Sequence, residues 1–511
     1  MMRWTKICVA GCAAAMMLVG AGCGGGAAVG PGGKLPPGQG AGVKSKSGQE
    51  VSKAAAAGFD RALEAFLEHD KKQDWSEASC ADIAKQFENA SDEQESAAGK
   101  HLPEALYNAG LAYQRCGKDK EAREHFEATL KADSGFHRAR AQNALYDYAK
   151  SNDVDTAVRT LTQVVRDAKF QNVEALVGVA ALQMERGGQD ADEDGKNDLE
   201  RAKKNLQRAL AVDDSYMPAF NQLAVYYMEQ AKAKAGAGKT KSRRGKRGLE
   251  VSGAKKADVD EQMLDLAALV ASQAQRKNPN YAPIHNTIGL IQVELRNFNN
   301  AVKSFGRARQ LDPKFFEAHM NYAAVNLSFR GFQEAEKAYR DALKLRPSEY
   351  EAHLGLALAI RGGITDANFD KGVAEAQEHL DQCKKIDPQR PETYYNEAIL
   401  TQEYRAKRGN PVPGLEKAAG QYKEFIAKAG DDPVFAQAVK RSKERTTDIE
   451  DTIKFIKEGE EAEKAQKEAE AAAKANPVPK PEDAAAAPPA DAAKPADPKA
   501  AAPADKKPAG K

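Results

Sequence analysis

A helical pattern that repeats every 34 residues is the feature that most restricts how this chain can fold. Small, aromatic and proline residues return at this interval, as Ala301/Ala335, Phe305/Tyr339, Ala308/Ala342 and Pro313/Pro347. Small residues on two paired helices let the backbones approach, an aromatic residue fills the space between neighbouring pairs, and proline ends the second helix. A period of this length is typical of stacked helix pairs that form a solenoid.

These residues resemble tetratricopeptide repeats, and the resemblance covers roughly residues 100 to 430. It implies an all-α fold: a right-handed solenoid of about eight helix pairs, with disordered N- and C-terminal segments. Two of the pairs contain insertions, at about residues 187–198 and 231–256. Such solenoids resemble one another in presenting a concave groove to extended or helical peptides, and catalysis is rare among them. We therefore expect a binding protein and not an enzyme.

Composition divides the rest of the chain into further segments. Residues 51–100 carry aromatic and aliphatic residues at helical spacing and predict an additional N-terminal helical pair, whereas residues 431–475 predict a capping helix with a solvated extension. Residues 23–50 form a Gly/Pro-rich linker. Residues 476–511 are rich in Pro, Ala and Lys, cannot bury a core and predict a disordered tail.

The first 22 residues have the pattern of an export signal. A short basic start precedes the apolar stretch 7–19, which is too short to span a bilayer as a helix. Gly20-Ala-Gly-Cys23 resembles the end of a bacterial lipoprotein signal, which implies cleavage before Cys23 and lipidation of that residue. The residue after Cys23 is not the Asp that retains such lipoproteins in the inner membrane, so the resemblance implies the outer membrane. Lipidation at Cys12 and a plain secretory signal are the alternatives.

Charge and residue spacing exclude several function classes. The 76 Lys and Arg nearly balance 74 Asp and Glu, so net charge drives no affinity for nucleic acid. The six Cys and eight His show no Cys-x-x-Cys or His-x-x-x-His spacing of a zinc or redox site. His285, His319 and His353 stand 34 residues apart, on successive repeats that hold them too far apart for one metal, and predict repeat packing.

One insertion has the spacing of the first part of an EF-hand-like calcium loop. Its candidate ligands are Asp190, Asp192, Asp194, Lys196 (through its carbonyl), Asp198 and Glu200. The residue at position 12 is Arg201 instead of a bidentate glutamate, so the alternative is a solvated acidic loop that binds no ion. No other cofactor is expected. The second insertion is strongly basic and predicts a mobile loop or a contact with phosphate-bearing lipid, wall polymer or an acidic partner.

By resemblance to the repeat family, the groove is lined by residues of the first helix of each pair. The expected positions are Asn286, Leu290, Val293, Met320, Ala324, Leu327, Leu354, Leu358, Tyr395 and Ile399. Most are apolar, and the Lys and Asn clamp with which some members hold a carboxylate is missing. An apolar groove fits an amphipathic helix or a strand of a partner, although the capping helix of the same chain can equally fill it.

Two of the cysteines can form a disulfide. Cys80 and Cys116 lie in neighbouring predicted pairs, in a chain whose N-terminus directs it to an oxidising compartment. Cys383 takes the place of the small residue of its repeat, so we expect it to be buried and reduced.

The layout as a whole, and the stretch 263–305 in particular, resembles the tetratricopeptide-repeat lipoproteins of myxobacterial gliding motility. This resemblance implies a lipid-anchored, periplasm-facing scaffold whose partners are other proteins of an envelope-spanning complex, and which meets the membrane through its lipid. The alternative is a lipoprotein that assists the assembly of type IV pilus secretins or of outer-membrane proteins. A cell-wall hydrolase is a remote alternative.

Overall fold

The computed structural model describes residues 43–45, 48–72, 74–237 and 260–475. The predicted signal peptide, Cys23, the tail 476–511 and most of the basic insertion lie outside the described residues. Within the described ranges the chain is helical apart from one short β-pairing. None of the described helices is long and apolar enough to cross a membrane.

The described residues form nineteen α-helices and two short 3-10 turns. The α-helices are α1 Lys53–Lys72, α2 Glu77–Ala98, α3 Pro103–Arg115, α4 Asp119–Ala132, α5 His137–Ser151, α6 Val154–Asp167, α7 Val173–Arg186, α8 Asp198–Val212, α9 Met217–Ala237, α10 Glu261–Lys277, α11 Ala282–Glu294, α12 Phe298–Leu311, α13 Phe316–Ser328, α14 Phe332–Leu345, α15 Tyr350–Gly362, α16 Phe369–Ile386, α17 Pro391–Glu403, α18 Pro411–Ala429 and α19 Ala436–Ala475. The turns are Asp366–Asn368 and Arg405–Lys407.

Consecutive helices pack against one another along the chain, and the helices from α3 to α18 form eight successive pairs. Helices α1 and α2 form a further pair in front of them. The expected all-α solenoid of about eight helix pairs is therefore confirmed.

The small residues of the repeat lie where the helices come closest. Ala301 and Ala335 are completely buried, as is the aromatic ring of Phe305. A Cβ atom added at Gly289 would lie 2.4 Å from Cε1 of Phe305, within the same helix pair α11/α12. The second helix of this pair thus approaches the first at a point where only glycine fits, which confirms the register read from the sequence.

The end of the predicted Gly/Pro-rich linker 23–50 takes part in a short β-hairpin, which was not predicted from the sequence. Strands β1 (Val43–Lys44) and β2 (Glu50–Val51) pair antiparallel. Gln94 of α2 holds them: its side-chain oxygen accepts the N–H of Ser52 at 2.8 Å, and its amide donates to the carbonyl of Glu50 at 2.9 Å. Because Gln94 is fully buried, these bonds replace the water that its amide loses on burial.

The capping helix follows the last pair as predicted. Phe435, just before α19, packs with Phe425 of α18 and Tyr394 of α17, and Ile449 is 2% exposed. From Glu450 onward the chain belongs to a second unit, in which α19 continues as a helix to Ala475. Its side chains are largely exposed, with Phe455 at 76%.

Candidate partner-binding face

Most of the predicted groove side chains are packed inside the solenoid. Those that are buried are Asn286, Leu290, Val293, Met320, Ala324 and Leu354. Leu290 and Val293 share a core cluster with Phe305, and Met320 shares another with Leu354. The six side chains expected to line an apolar groove are therefore buried in this structure.

Four predicted groove residues keep part of their surface: Leu327, Leu358, Tyr395 and Ile399 are half-buried. Leu327 packs against a core cluster at its edge, and the ring of Tyr395 lies 5.0 Å from that of Phe425. The accessible apolar surface of the first helices is therefore a set of separate spots and not a continuous stripe.

Buried polar side chains join the first helices of successive repeats, and we call this set the polar ladder. Its hydrogen bonds are Gln114 Nε2 to Gln142 Oε1 at 3.2 Å, Thr287 Oγ1 to Asn221 Oδ1 at 2.7 Å, Asn321 Nδ2 to Asn286 Oδ1 at 2.9 Å, and Tyr350 to Thr393 at 2.6 Å. Buried polar groups that lose their partners are costly, so these pairs favour one register between neighbouring repeats.

Two first helices carry a buried glutamate in their first turn, held by an arginine. Glu317 Oε1 accepts from Arg346 at 3.0 Å, and Glu351 Oε1 accepts from Arg390 at 2.7 Å. Each arginine also lies over the aromatic ring at the start of the same helix. The two arginine braces are Arg346–Glu317–Phe316, with 4.0 Å from guanidinium to ring centroid, and Arg390–Glu351–Tyr350, with 3.8 Å.

The braces leave one carboxylate oxygen of each glutamate inside the solenoid. Glu317 precedes Met320 by three residues and Glu351 precedes Leu354 by three, so each glutamate lies on the same helix face as a predicted groove residue that is itself buried. Oε2 of both glutamates is buried and has no hydrogen-bond partner. Burial raises the pKa of both carboxyls, and the adjacent arginines oppose this rise.

Sequence reasoning missed the arginine braces. A signal was present, because Glu317 and Glu351 stand 34 residues apart in the period that defined the repeats. A related contact occurs near the N-terminus, where Arg138 donates to Glu174 at 3.0 Å and lies over the ring of Tyr107 at 4.8 Å, but there the glutamate and the ring belong to different helices, α7 and α3.

The acidic loop is organised around an arginine and not around one central point. Arg201, at the position where calcium loops carry glutamate, donates to Asp192 at 3.0 Å and to Asp198 at 2.7 Å. It also donates to the backbone carbonyls of Asp190 at 2.9 Å and of Gly195 at 3.2 Å. Thus the guanidinium takes the position that calcium would need.

The remaining carboxylates of the loop bind other cations. Asp194 contacts Arg208 at 3.2 Å, and Glu200 lies 3.4 Å from Lys204 and accepts the N–H of Lys196. Asp198, which is fully buried, also binds Arg186 at 2.8 Å. Burial alone would raise the pKa of Asp198, but the hydrogen bonds from both arginines outweigh it and lower that pKa. This geometry favours the alternative of a loop without calcium.

The disulfide between Cys80 and Cys116 is present, as expected. It links the start of α2 to the end of α3, with 6.4 Å between the two Cα atoms. Beside it, Arg115 binds Asp70 of α1 at 2.8 Å. Cys383 is free and buried, also as expected, and burial raises the pKa of its thiol to about 12, so the thiol is unreactive.

The three equivalent histidines fasten each repeat to the turn before it. Nε2 of His285, His319 and His353 donates to the carbonyl six residues earlier, that of Pro279, Pro313 and Pro347, at 2.8, 2.9 and 2.9 Å. They are repeat-packing residues, as predicted.

Comparison with known proteins identifies the repeat. Residues 103–135 match the tetratricopeptide repeat family. The solved structures similar to this chain include a thermophilic tetratricopeptide protein of Thermus thermophilus, at 22% identity over 44% of this chain and 99% of that one, with a TM-score of 0.34. A tetratricopeptide repeat protein from Parabacteroides merdae is 14% identical over 61% of this chain and 98% of its own, also with a TM-score of 0.34.

PilF of Pseudomonas aeruginosa is 18% identical over 50% of this chain and 97% of its own length, with a TM-score of 0.34. At these TM-scores the solved structures support no argument about function. Among curated proteins, none matches the sequence significantly.

Proposed function

We propose that this tetratricopeptide-repeat protein is a non-enzymatic scaffold, anchored in the outer membrane through lipid on Cys23 and facing the periplasm, where it binds proteins of an envelope-spanning assembly. The repeats indicate the coarser role, protein–protein interaction. The resemblance of the stretch 263–305 to gliding-motility lipoproteins makes the gliding machinery the first assembly to test.

The Cys80–Cys116 disulfide is the observation that most supports an extracytoplasmic position. Disulfides persist in oxidising compartments such as the periplasm and are rare in the reducing cytosol. A disulfide that links the N-terminal pair to the first repeat fits a chain that is exported before it folds.

The first-helix face is the surface that we propose for the partner. There, Glu317 and Glu351 each offer an oxygen without a partner, and Leu358 and Ile399 remain half-buried. This combination suits an extended segment that brings hydrogen-bond donors, from its backbone or from lysine, together with a few apolar side chains. Because these oxygens are buried, a donor of the partner reaches them only if the side chains around them move aside.

Site-specific photo-crosslinking in cells tests this surface. A photoreactive residue replaces Leu358 on the first helix α15 or, as the matched control, the exposed Glu378 on the second helix α16. We expect adducts of discrete mass from position 358 that weaken when Glu317 and Glu351 are both changed to Gln, and none from position 378. Equal adducts from both positions, or none from either, would contradict the proposed face.

The anchor is tested separately. Cys23→Ser should leave the protein at precursor size and extractable without detergent, because we propose that covalent lipid holds it at the membrane and none of the described helices is an apolar span. Unchanged partition into the detergent phase refutes the lipid anchor. Deletion of the protein should impair gliding while pilus-dependent movement continues, and the reverse result would favour pilus assembly.

A further inference from the structure

A mixed cluster of ligand-type side chains lies where α2 turns into α3. Asp92 and Glu95 belong to α2, three residues apart and so on one face of the helix, and His101 lies in the following turn. One ligand atom from each of the three residues lies within 4.8 Å of the others. Asp92 and Glu95 are exposed and His101 is half-buried, so the cluster is open to ions in solution.

The imidazole of His101 is oriented by a buried serine. Ser91 Oγ accepts the backbone N–H of Leu102 at 3.1 Å and lies 3.2 Å from Nδ1 of His101. The hydroxyl of Ser91 can accept from Nδ1 or donate its own proton to it, so this contact orients the ring and is compatible with either tautomer.

Nε2 of the oriented ring faces a carboxylate. Nε2 of His101 lies 3.3 Å from Oε1 of Glu95. A cation can bridge the two atoms at this distance, either a proton on the ring or a metal ion. The carboxylate of Asp92 adds a second negative group to the same place.

We propose that Asp92, Glu95 and His101 bind one divalent transition-metal ion of the zinc type. Two ligand atoms bound tetrahedrally to Zn²⁺ at about 2.0–2.1 Å lie about 3.3 Å apart, and Nε2 and Oε1 are already at that separation. With zinc on Nε2, Nδ1 would carry the proton and donate it to Ser91, which is the outer contact that metal-bound histidines usually make. An imidazole nitrogen favours zinc over calcium or magnesium, which prefer oxygen ligands alone.

The site has a structural consequence. The disulfide joins Cys80, near the start of α2, to Cys116, just after α3, whereas the metal site joins the last turns of α2 to the α2–α3 turn. Together they fasten both ends of the contact between the N-terminal pair and the first repeat. Three protein ligands leave a fourth position for water or for a donor from another molecule.

Zinc binding to the full-length chain at pH 7.5 tests the site, measured as bound metal after equilibrium dialysis and as the shift of the melting temperature. The variants are His101→Gln and the pair Asp92→Asn/Glu95→Gln. The matched control is His69→Gln, since His69 has Asp74 at 2.5 Å in a two-ligand pair. Zinc bound elsewhere, for example by the cysteines near the N-terminus, is common to all four proteins.

We expect the wild type and His69→Gln to bind one zinc more per chain than the two site variants, whose affinity at this position falls at least about tenfold. Zinc should also raise the melting temperature of the wild type and of His69→Gln more than that of the two site variants. Equal stoichiometry in His101→Gln and His69→Gln overturns the proposal. No zinc binding to the wild type also overturns it and leaves a proton-bridged His101–Glu95 pair.

Discussion

Gly289 is a residue at which the repeat tolerates no side chain. A Cβ atom there would lie 2.4, 2.6 and 2.8 Å from three carbons of the buried Phe305 ring. We expect Gly289→Ala to destabilise the fold by about 1–3 kcal/mol, because the ring has no space into which to move. The measurement is urea unfolding followed by circular dichroism.

Gly420 provides the matched control. It lies inside helix α18, and a Cβ atom there would meet nothing within 4 Å. Gly420→Ala should stabilise the protein by about 0.5–1 kcal/mol, since alanine restricts the unfolded chain more than glycine does. If both substitutions change stability in the same direction, the close approach at Gly289 is not what limits that position.

The buried imidazole of His319 should make the stability of the fold depend on pH. Burial lowers the pKa of its imidazole and nearby Arg309 lowers it further, although the bond to Pro313 opposes them. The folded state therefore holds fewer protons than the unfolded chain. The stability from the neutral ring is complete above the unfolded pKa, about 6.5, and is lost as pH falls below it.

The test compares the melting temperatures of the wild type and His319→Gln at pH 7.5 and 5.5. Glu317 and Glu351 act in the opposite direction, because burial raises the pKa of each and the folded state protonates first. Their contribution is common to both proteins and cancels in the comparison. We expect a larger loss on acidification in the wild type, and equal losses would contradict the role given to His319.

At the level of elements, we expect two substitutions in the acidic loop between α7 and α8 to differ strongly in their effect on stability. Asp198 is fully buried between Arg186 and Arg201, whereas Asp190 is exposed and contributes its backbone carbonyl. Asp198→Asn should cost about 2–4 kcal/mol, because it removes the buried negative charge that Arg186 and Arg201 share and leaves them only the more exposed carboxylates of Asp155 and Asp192. Asp190→Asn should change stability by less than about 0.5 kcal/mol.

Melting temperatures measured with added calcium distinguish this arrangement from a loop that binds the ion. With Arg201 among the carboxylates, calcium should not change the melting temperature of the wild type or of Asp190→Asn. A calcium-dependent rise that Asp190→Asn abolishes would restore the calcium site and refute the arginine-centred loop.

The disulfide also acts between structural elements, because it links the N-terminal helix pair to the first repeat. The closed loop spans 36 residues, for which chain entropy gives about 2–4 kcal/mol. Cys80→Ala/Cys116→Ala should therefore loosen the N-terminal pair before the rest of the solenoid, visible as faster amide exchange in α1 and α2. Uniform acceleration along the chain would show that the disulfide stabilises the solenoid as a whole.

The sequence predicted the helix pairs well and the contacts between them less well, for a physical reason. The period of 34 reports positions such as Ala301 and Phe305, where size alone decides what fits. The hairpin held by Gln94 and the brace at Glu351 depend on hydrogen bonds to residues distant in sequence, Ser52 in the first case and Arg390 in the second. The bond of Gln94 leaves no periodic trace, and the recurrence of glutamate at 317 and 351 does not reveal its arginine partner. The groove positions were therefore assigned by analogy, and most proved to be buried.

At the scale of the whole molecule, a chain of stacked pairs is stabilised mainly between neighbours, so its open end needs a cap. Helix α19 supplies one in its first part. Phe435 and Ile449 are buried, and Arg445 donates to Glu403 of α17 at 2.9 Å. The described side chains from residue 457 onward are exposed.

Two truncations separate the cap from its extension. Ending the chain after residue 457 should leave the melting temperature unchanged, because it removes no buried side chain of the described region. Ending it after residue 434 removes Phe435 and Ile449, whose burial contributes about 3–6 kcal/mol together. Since coupling runs between neighbours, α17 and α18 should lose amide protection while α3 and α4 keep theirs. Equal stability of the two truncated chains would show that the solenoid ends without a cap at α18.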